Sequence, residues 1–237
     1  MVGKSTARRA TLGKMSSRKV KVKKGYHHGD LASALVTAAT QTLESDGPEA
    51  VTLRDVARRA GVSVAAPYRH FVDREALIAA VLTEGFLELA RVTETARLKA
   101  ADAEASVLAV GLAYLRYAAK HPVLYRVMFG HAGKKAAHPG LMAAGRQALE
   151  VLVRAVEAAR ADGALLGESA QLVTLAGWAL VHGLSSLQAD GLLDDGVAPS
   201  ADMATVAPAI LQMLVRGAAT PVTAGKVGAL GVKRRRN

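Results

Sequence analysis

The stretch VTLRDVARRAGVSVAAPYRHFVDREALIAAV, Val51 to Val81, decides the fold of this chain. Thr52 and Asp55 have the T-x-x-D spacing of an N-cap followed by an acid in the first helical turn, which predicts a helix to about Ala60. Gly61 ends it, because glycine takes the left-handed conformation after a helix without steric cost, and Val62 is the apolar residue such a turn buries. Ser63 is placed to cap a second helix from Val64 to about His70. Asp73 caps a third, whose apolar positions Leu77, Ile78, Val81 and Leu82 continue well beyond the quoted stretch.

Two short helices joined at a glycine turn make a helix-turn-helix, the unit whose second helix enters the DNA major groove. Gly61, Tyr68, His70, Phe71 and Glu75-Ala76-Leu77 stand at the spacing of one family. From about Asp30 to Phe86 the chain closely resembles the TetR/AcrR family of bacterial transcriptional regulators. The resemblance implies base-facing roles for Val64, Ala65, Ala66 and Arg69, and phosphate contacts for Tyr68, His70 and Arg74. Thr52 and Arg54 are expected at the DNA backbone, and Ser63 belongs to the same DNA-facing set. Val64 and Ala66 depart from relatives that carry polar residues there. They offer thymine methyls an apolar contact and no hydrogen bond, so Arg69 alone is equipped for a bidentate contact to guanine. Phe71, Val62 and Leu77 read as core.

Apolar content of 51% with only 4% aromatic residues predicts a core of Ala, Leu and Val, and the periodicity is helical throughout. The fold class is therefore all-α: an N-terminal three-helix helix-turn-helix domain and a C-terminal helical domain for ligand binding and dimerisation, the latter role implied by the resemblance. Without Cys there is no disulfide framework, and the seven His show no metal-ligand spacing, so no metal or cofactor is expected. The net charge of +11 is concentrated at the ends. Fourteen of the 31 Lys and Arg lie before Asp30 or after Thr220 with no acid among them, leaving 17 against all 20 acids between, a body of net −3. Basic, unperiodic ends of this kind are drawn to phosphate backbones in a salt-dependent way, though an artificial extension would look the same.

Residues 1–28 are expected to be a disordered basic tail and 219–237 a second one. Residues 29–80 form the DNA-binding domain, in which Asp30 caps a first helix that Asp46-Gly47-Pro48 stops; Lys23, Lys24, His27 or His28 are placed to reach a phosphate or the minor groove. The last helix of that domain continues as a linker to about 100, with Glu88, Arg91, Glu94 and Arg97 on its solvated side. Residues 101–218 read as five helices: Ser106 to Lys120, Pro122 to Phe129, Leu141 to Ala161, Ser169 to about Ala189 and Asp202 to Gly217, with Gly130 to Gly140 as a loop containing Gly133, Lys134 and Lys135. Ala170 to Leu187 is the most apolar run, but Gln171, Thr174, His182, Ser185 and Ser186 interrupt it, which favours burial between protein surfaces over lipid. No signal peptide is read in the basic first residues, so a cytoplasmic location is expected.

LAGWALVHGLSSL, with Trp178, His182 and Gly183, resembles the Trp-His-Gly landmark of one TetR C-terminal domain type. That resemblance implies pairing of the last two long helices with those of a second subunit, and an effector pocket enclosed by the helices before them. Tyr114, Tyr117, Tyr125, Met128, Phe129, Trp178 and His182 are the candidates for that pocket, with core as their plainer role. The expected partners are an operator in double-stranded DNA, a second copy of the chain and a small molecule, with no membrane. The function expected is a homodimeric repressor released by an effector; the alternative is a DNA-binding protein without an effector, acting constitutively or as a general nucleic-acid binder through its tails. No H-E-x-x-H, phosphate loop, Ser-centred elbow or carboxylate pair with a role is present, so an enzyme is not expected.

Overall fold

The computed structural model describes residues 28–130, 138–166, 169–193 and 203–219, and all regular structure among them is helical. Eight helices run α1 (His28–Asp46), α2 (Leu53–Arg59), α3 (Arg74–Lys99), α4 (Ala103–Lys120), α5 (Pro122–Gly130), α6 (Pro139–Ala161), α7 (Ala170–Ala189) and α8 (Met203–Ala219). Single 3₁₀ turns at Pro48–Ala50 and Pro67–Arg69 flank α2. The expected basic tails, Lys23, Lys24, His27, the loop residues Gly133, Lys134 and Lys135, and Asp202 lie outside the described residues.

The helix starts follow the caps. The Thr52 hydroxyl accepts from the Asp55 N–H at 3.1 Å, and the Asp73 carboxylate accepts from the Ala76 N–H at 2.8 Å. The Asp102 and Ser169 side chains do the same for α4 and α7. Gly61 turns the chain out of α2 at φ +70°, which an L side chain adopts only with strain. Three starts differ from expectation, α6 beginning at Pro139 rather than Leu141. Because α1 begins at His28, Asp30 lies inside the first turn rather than at its cap. α4 also starts earlier, at Ala103 behind its Asp102 cap rather than at Ser106.

The second helix of the DNA-reading unit is the larger departure. In place of a helix from Val64 to His70 the chain makes turns at 64–66 and one 3₁₀ turn, held by Ala66 N–H to Ser63 O (3.0 Å), Arg69 N–H to Ala66 O (3.2 Å) and His70 N–H to Pro67 O (2.9 Å). Pro67 has no N–H to give to Ser63 O, so the bond that would carry an α-helix through this point is missing. The Ser63 backbone carbonyl, rather than a side-chain cap, closes the turn.

The 26 residues of α3 span roughly 39 Å at 1.5 Å per residue. Leu77, Val81 and Leu82 join Leu35, Leu43, Val51, Val56 and Phe71 in the N-terminal core, while Phe86 and Leu89 continue the same cluster into the C-terminal helices. Gly85 allows a close approach there. A Cβ on it would meet Met128 Sδ at 2.9 Å, and the Tyr117 hydroxyl donates to Gly85 O at 2.8 Å. α1 also packs on α5, and Glu44 Oε1 lies 3.4 Å from His121 Nδ1, an ion-pair distance when the imidazole is protonated but not a hydrogen bond. Glu88 and Arg91 pair on the surface as expected, but Glu94 and Arg97 are partly buried, and Glu94 also accepts from Arg154 of α6 at 3.2 Å.

α7 is long and apolar enough to cross a membrane by length and composition alone. Val173, Thr174, Gly177, Val181 and Ser185 face the bundle, whereas Leu172, Leu175 and Leu187 are exposed.

Candidate nucleic-acid interface and effector cavity

The DNA-reading end is built so that some arginines are held and others are left available. Arg58 is paired with Asp55 at 2.8 Å, and Arg59 donates to the Thr42 hydroxyl at 2.9 Å. Arg74, expected at a phosphate, instead clamps the turn before α2: its Nε donates to Val51 O at 2.8 Å and a terminal N–H to Pro48 O. Arg54 and Arg69 are exposed and make no side-chain hydrogen bond or ion pair with the described residues. Ser63, Val64, Ala65, Tyr68 and His70 are exposed beside them, and Ala66 is half-buried. The Thr52 hydroxyl donates to Asp55 Oδ2 at 2.6 Å as well as capping α2, so it reaches outward only by sharing that bond. Val72, which sequence reasoning passed over, is 84% exposed directly after the core residue Phe71. With Val64 and Tyr68, at 51% and 58%, it gives this end of the molecule three exposed apolar side chains at four-residue intervals.

A cavity of about 310 Å³ lies in the C-terminal bundle and takes wall residues from α3 to α8. Phe86, Leu89 and Thr93 of α3 form one side, Gly111 and Tyr114 of α4 another, and Trp178 and Val181 of α7 face them, with Leu211 and Leu214 of α8 closing the end. Met142 and Arg146 of α6 line it and are also exposed, which marks its opening.

A family model for the N-terminal domain of bacterial regulatory proteins of the tetR family matches residues 35–81, and a tetracycline repressor-like C-terminal domain model matches 107–214. The chain belongs to the TetR family. A solved Rhodococcus sp. RHA1 protein of unknown function is 36% identical, with a TM-score of 0.74 over 84% of this chain and 100% of that one. A bacterial regulatory protein in the tetR family from Rhodococcus RHA1 shares the fold at 20% identity and TM-score 0.59, over 79% of this chain and 96% of that one. Among curated proteins no relative matches. The family makes the chain a DNA-binding transcriptional regulator, and the helix-turn-helix lies within the matched N-terminal model.

In this TetR-family chain the seven pocket candidates separate into wall, support and core. Tyr114, Phe129 and Trp178 line the cavity. Tyr125 and His182 stand behind them: the Tyr125 hydroxyl is 2.6 Å from His182 Nδ1 and 3.0 Å from the Tyr114 hydroxyl, and the His182 ring packs on Phe129 at 4.6 Å between centroids. Tyr117 and Met128 are core at the Gly85 contact, away from the cavity, because the bare glycine backbone draws both onto α3. Burial, with the neighbouring Tyr125 hydroxyl, raises the pKa of Tyr114, and burial raises that of Tyr117, so both hydroxyls stay neutral. Trp178 is half-buried in the single chain, with its indole interacting with the Tyr114 hydroxyl. No residue of α3, α6 or α8 is among the pocket candidates that the sequence offers. Read locally, α3 is a linker with an ordinary apolar face, and Arg146 is a single exposed cation on α6.

Proposed function

We propose that the chain is a homodimeric repressor that a small-molecule effector releases from its operator. The observation that carries this reading is the double use of α3. Its first turns belong to the DNA-reading core through Leu77 and Val81, and its later turns supply Phe86, Leu89 and Thr93 to the cavity wall. A ligand that prefers one setting of these helices over another shifts the DNA-binding end in proportion to that preference. Residues 29–80 act as the DNA-binding domain and 101–218 as the effector and dimerisation domain, working in the cytoplasm without enzymatic activity. Arg54 and Tyr68 meet the backbone, while Arg69 and Val64 meet bases. Pairing through α7 and α8 is supported by the exposed Leu172, Leu175 and Leu187 of α7 and Met213 of α8, which a second copy would cover. The Trp178, His182 and Gly183 pattern supports a C-terminal domain of the Trp-His-Gly type.

The test begins with selection of bound sequences from random DNA, followed by sedimentation and a ligand-library screen for release. The expected result is a dimer on a pseudo-palindrome with half-site centres roughly 34 Å or somewhat more apart. A monomer with full DNA affinity, or an operator affinity that no ligand in the cavity changes, would overturn the reading.

A further inference from the structure

Among the described residues of the cavity wall Arg146 is the only charged one, and no Asp or Glu is among them. The two hydroxyls of the wall are already engaged: that of Thr93 donates to Leu89 O at 2.7 Å, and that of Tyr114 is bonded to Tyr125; the Trp178 indole lies against the Tyr114 hydroxyl. Arg146 sits at the opening with no hydrogen bond or ion pair to any described residue.

This wall selects by charge. A cationic ligand would lose its hydration against an apolar surface that offers no carboxylate, and it would meet a like charge at the opening. A ligand with many hydroxyls would bury donors and acceptors that the wall cannot match. An apolar body is favoured throughout, and a planar carboxylate at one end matches the fork of an arginine that has no partner among the described residues. At about 310 Å³ the space is at the small end of ligand sites, which run roughly 300–1,000 Å³.

We propose that the cavity binds a medium-length amphiphile with a single carboxylate, the apolar body inside and the carboxylate on Arg146 at the opening. This deepens the reading above and rests on it for the step from binding to DNA release. Binding itself is read separately, from Trp178 emission, because Trp178 is the only tryptophan and lines the cavity.

The experiment titrates the full-length protein with decanoate, decan-1-ol and decylammonium, each below its micellar concentration, following Trp178 emission and operator release in parallel. Octanoate and dodecanoate extend the carboxylate series. Saturable binding of a carboxylate about tenfold tighter than the matched alcohol, with no saturable response to the ammonium, is expected. Arg146→Gln should weaken the carboxylate by about the same factor and leave the alcohol unchanged. Equal binding of alcohol or ammonium, an unchanged carboxylate affinity in Arg146→Gln, or no carboxylate binding at any length overturns the proposal; release of DNA by some other ligand would then leave the repressor reading standing. Carboxylate binding with the expected discrimination but no release supports the cavity assignment and overturns the repressor mechanism instead.

Discussion

Tyr125→Phe isolates the hydroxyl behind the cavity wall without changing the ring. The side chain is 1% exposed, so its volume is preserved in the core and only polar contacts change. The substitution removes the 2.6 Å partner of His182 Nδ1 and the 3.0 Å partner of the Tyr114 hydroxyl. Each lost hydrogen bond is worth about 1 kcal/mol net, and more where the remaining group is buried, which puts the cost at about 2 kcal/mol. For a chain of this length that corresponds to a Tm lower by about 4–8 °C. Ser185→Ala is the control. Its Oγ is buried beside Tyr125 and makes no hydrogen bond of good geometry, so removing it should change stability by less than about 0.5 kcal/mol. Urea unfolding at one fixed protein concentration, with the m-value monitored, measures both variants and avoids the concentration dependence of a dimer. A Tyr125→Phe cost below about 0.5 kcal/mol, or a Ser185→Ala cost as large as that of Tyr125→Phe, would refute the idea that this hydroxyl holds the wall.

Arg74→Ala should lower the stability of the free protein by about 1–3 kcal/mol, because the Val51 and Pro48 carbonyls lose a charged donor; an unchanged unfolding midpoint with weakened DNA binding would return Arg74 to the phosphate role. Arg69→Ala should relax preference at one base position by about 1–3 kcal/mol, whereas Tyr68→Phe should weaken all sequences alike, as competition with base-substituted operators will report. The Arg97 hydrogen bond and then Arg154 hold the Glu94 carboxyl down to about 2, so the folded value is below the unfolded one, and its stabilisation is present above about pH 4.5 and lost as pH falls toward 2. Glu94→Gln should therefore flatten the acid limb of the stability profile, by no more than about 1 kcal/mol for a pair still partly open to solvent, and acid titration of both forms checks it. Deleting residues 1–24 should reduce non-specific DNA affinity and lower its salt slope by about 0.9 per lost phosphate contact, with an unchanged thermal transition.

What was legible in the sequence was local, and what was not required three dimensions. Thr52, Asp73 and Ser169 announce helix starts because a cap acts on an N–H two or three residues away, and Gly61 announces its turn because only its own φ is involved. The second helix of the DNA-reading unit was misjudged from the same local rules: Pro67 reads as tolerable in a first turn, yet in so short a segment the one bond it deletes decides between α and 3₁₀. Arg74 could not be assigned locally either, since the carbonyls it holds are 23 and 26 residues earlier in the chain.

The cavity shows the deeper limit. Helical periodicity says that Tyr114, Tyr117 and Phe129 are apolar and inward, but not which inward side chains meet a partner and which border empty space. Gly85 decides it for Tyr117 and Met128, because a bare backbone on α3 lets both close onto it, and no counterpart fills the space before Tyr114 and Trp178. The same reasoning explains why Arg146 was passed over. On its own helix it is an ordinary exposed cation; only the apolar residues that α3, α4, α7 and α8 place around the opening make its charge the single polar preference of the site.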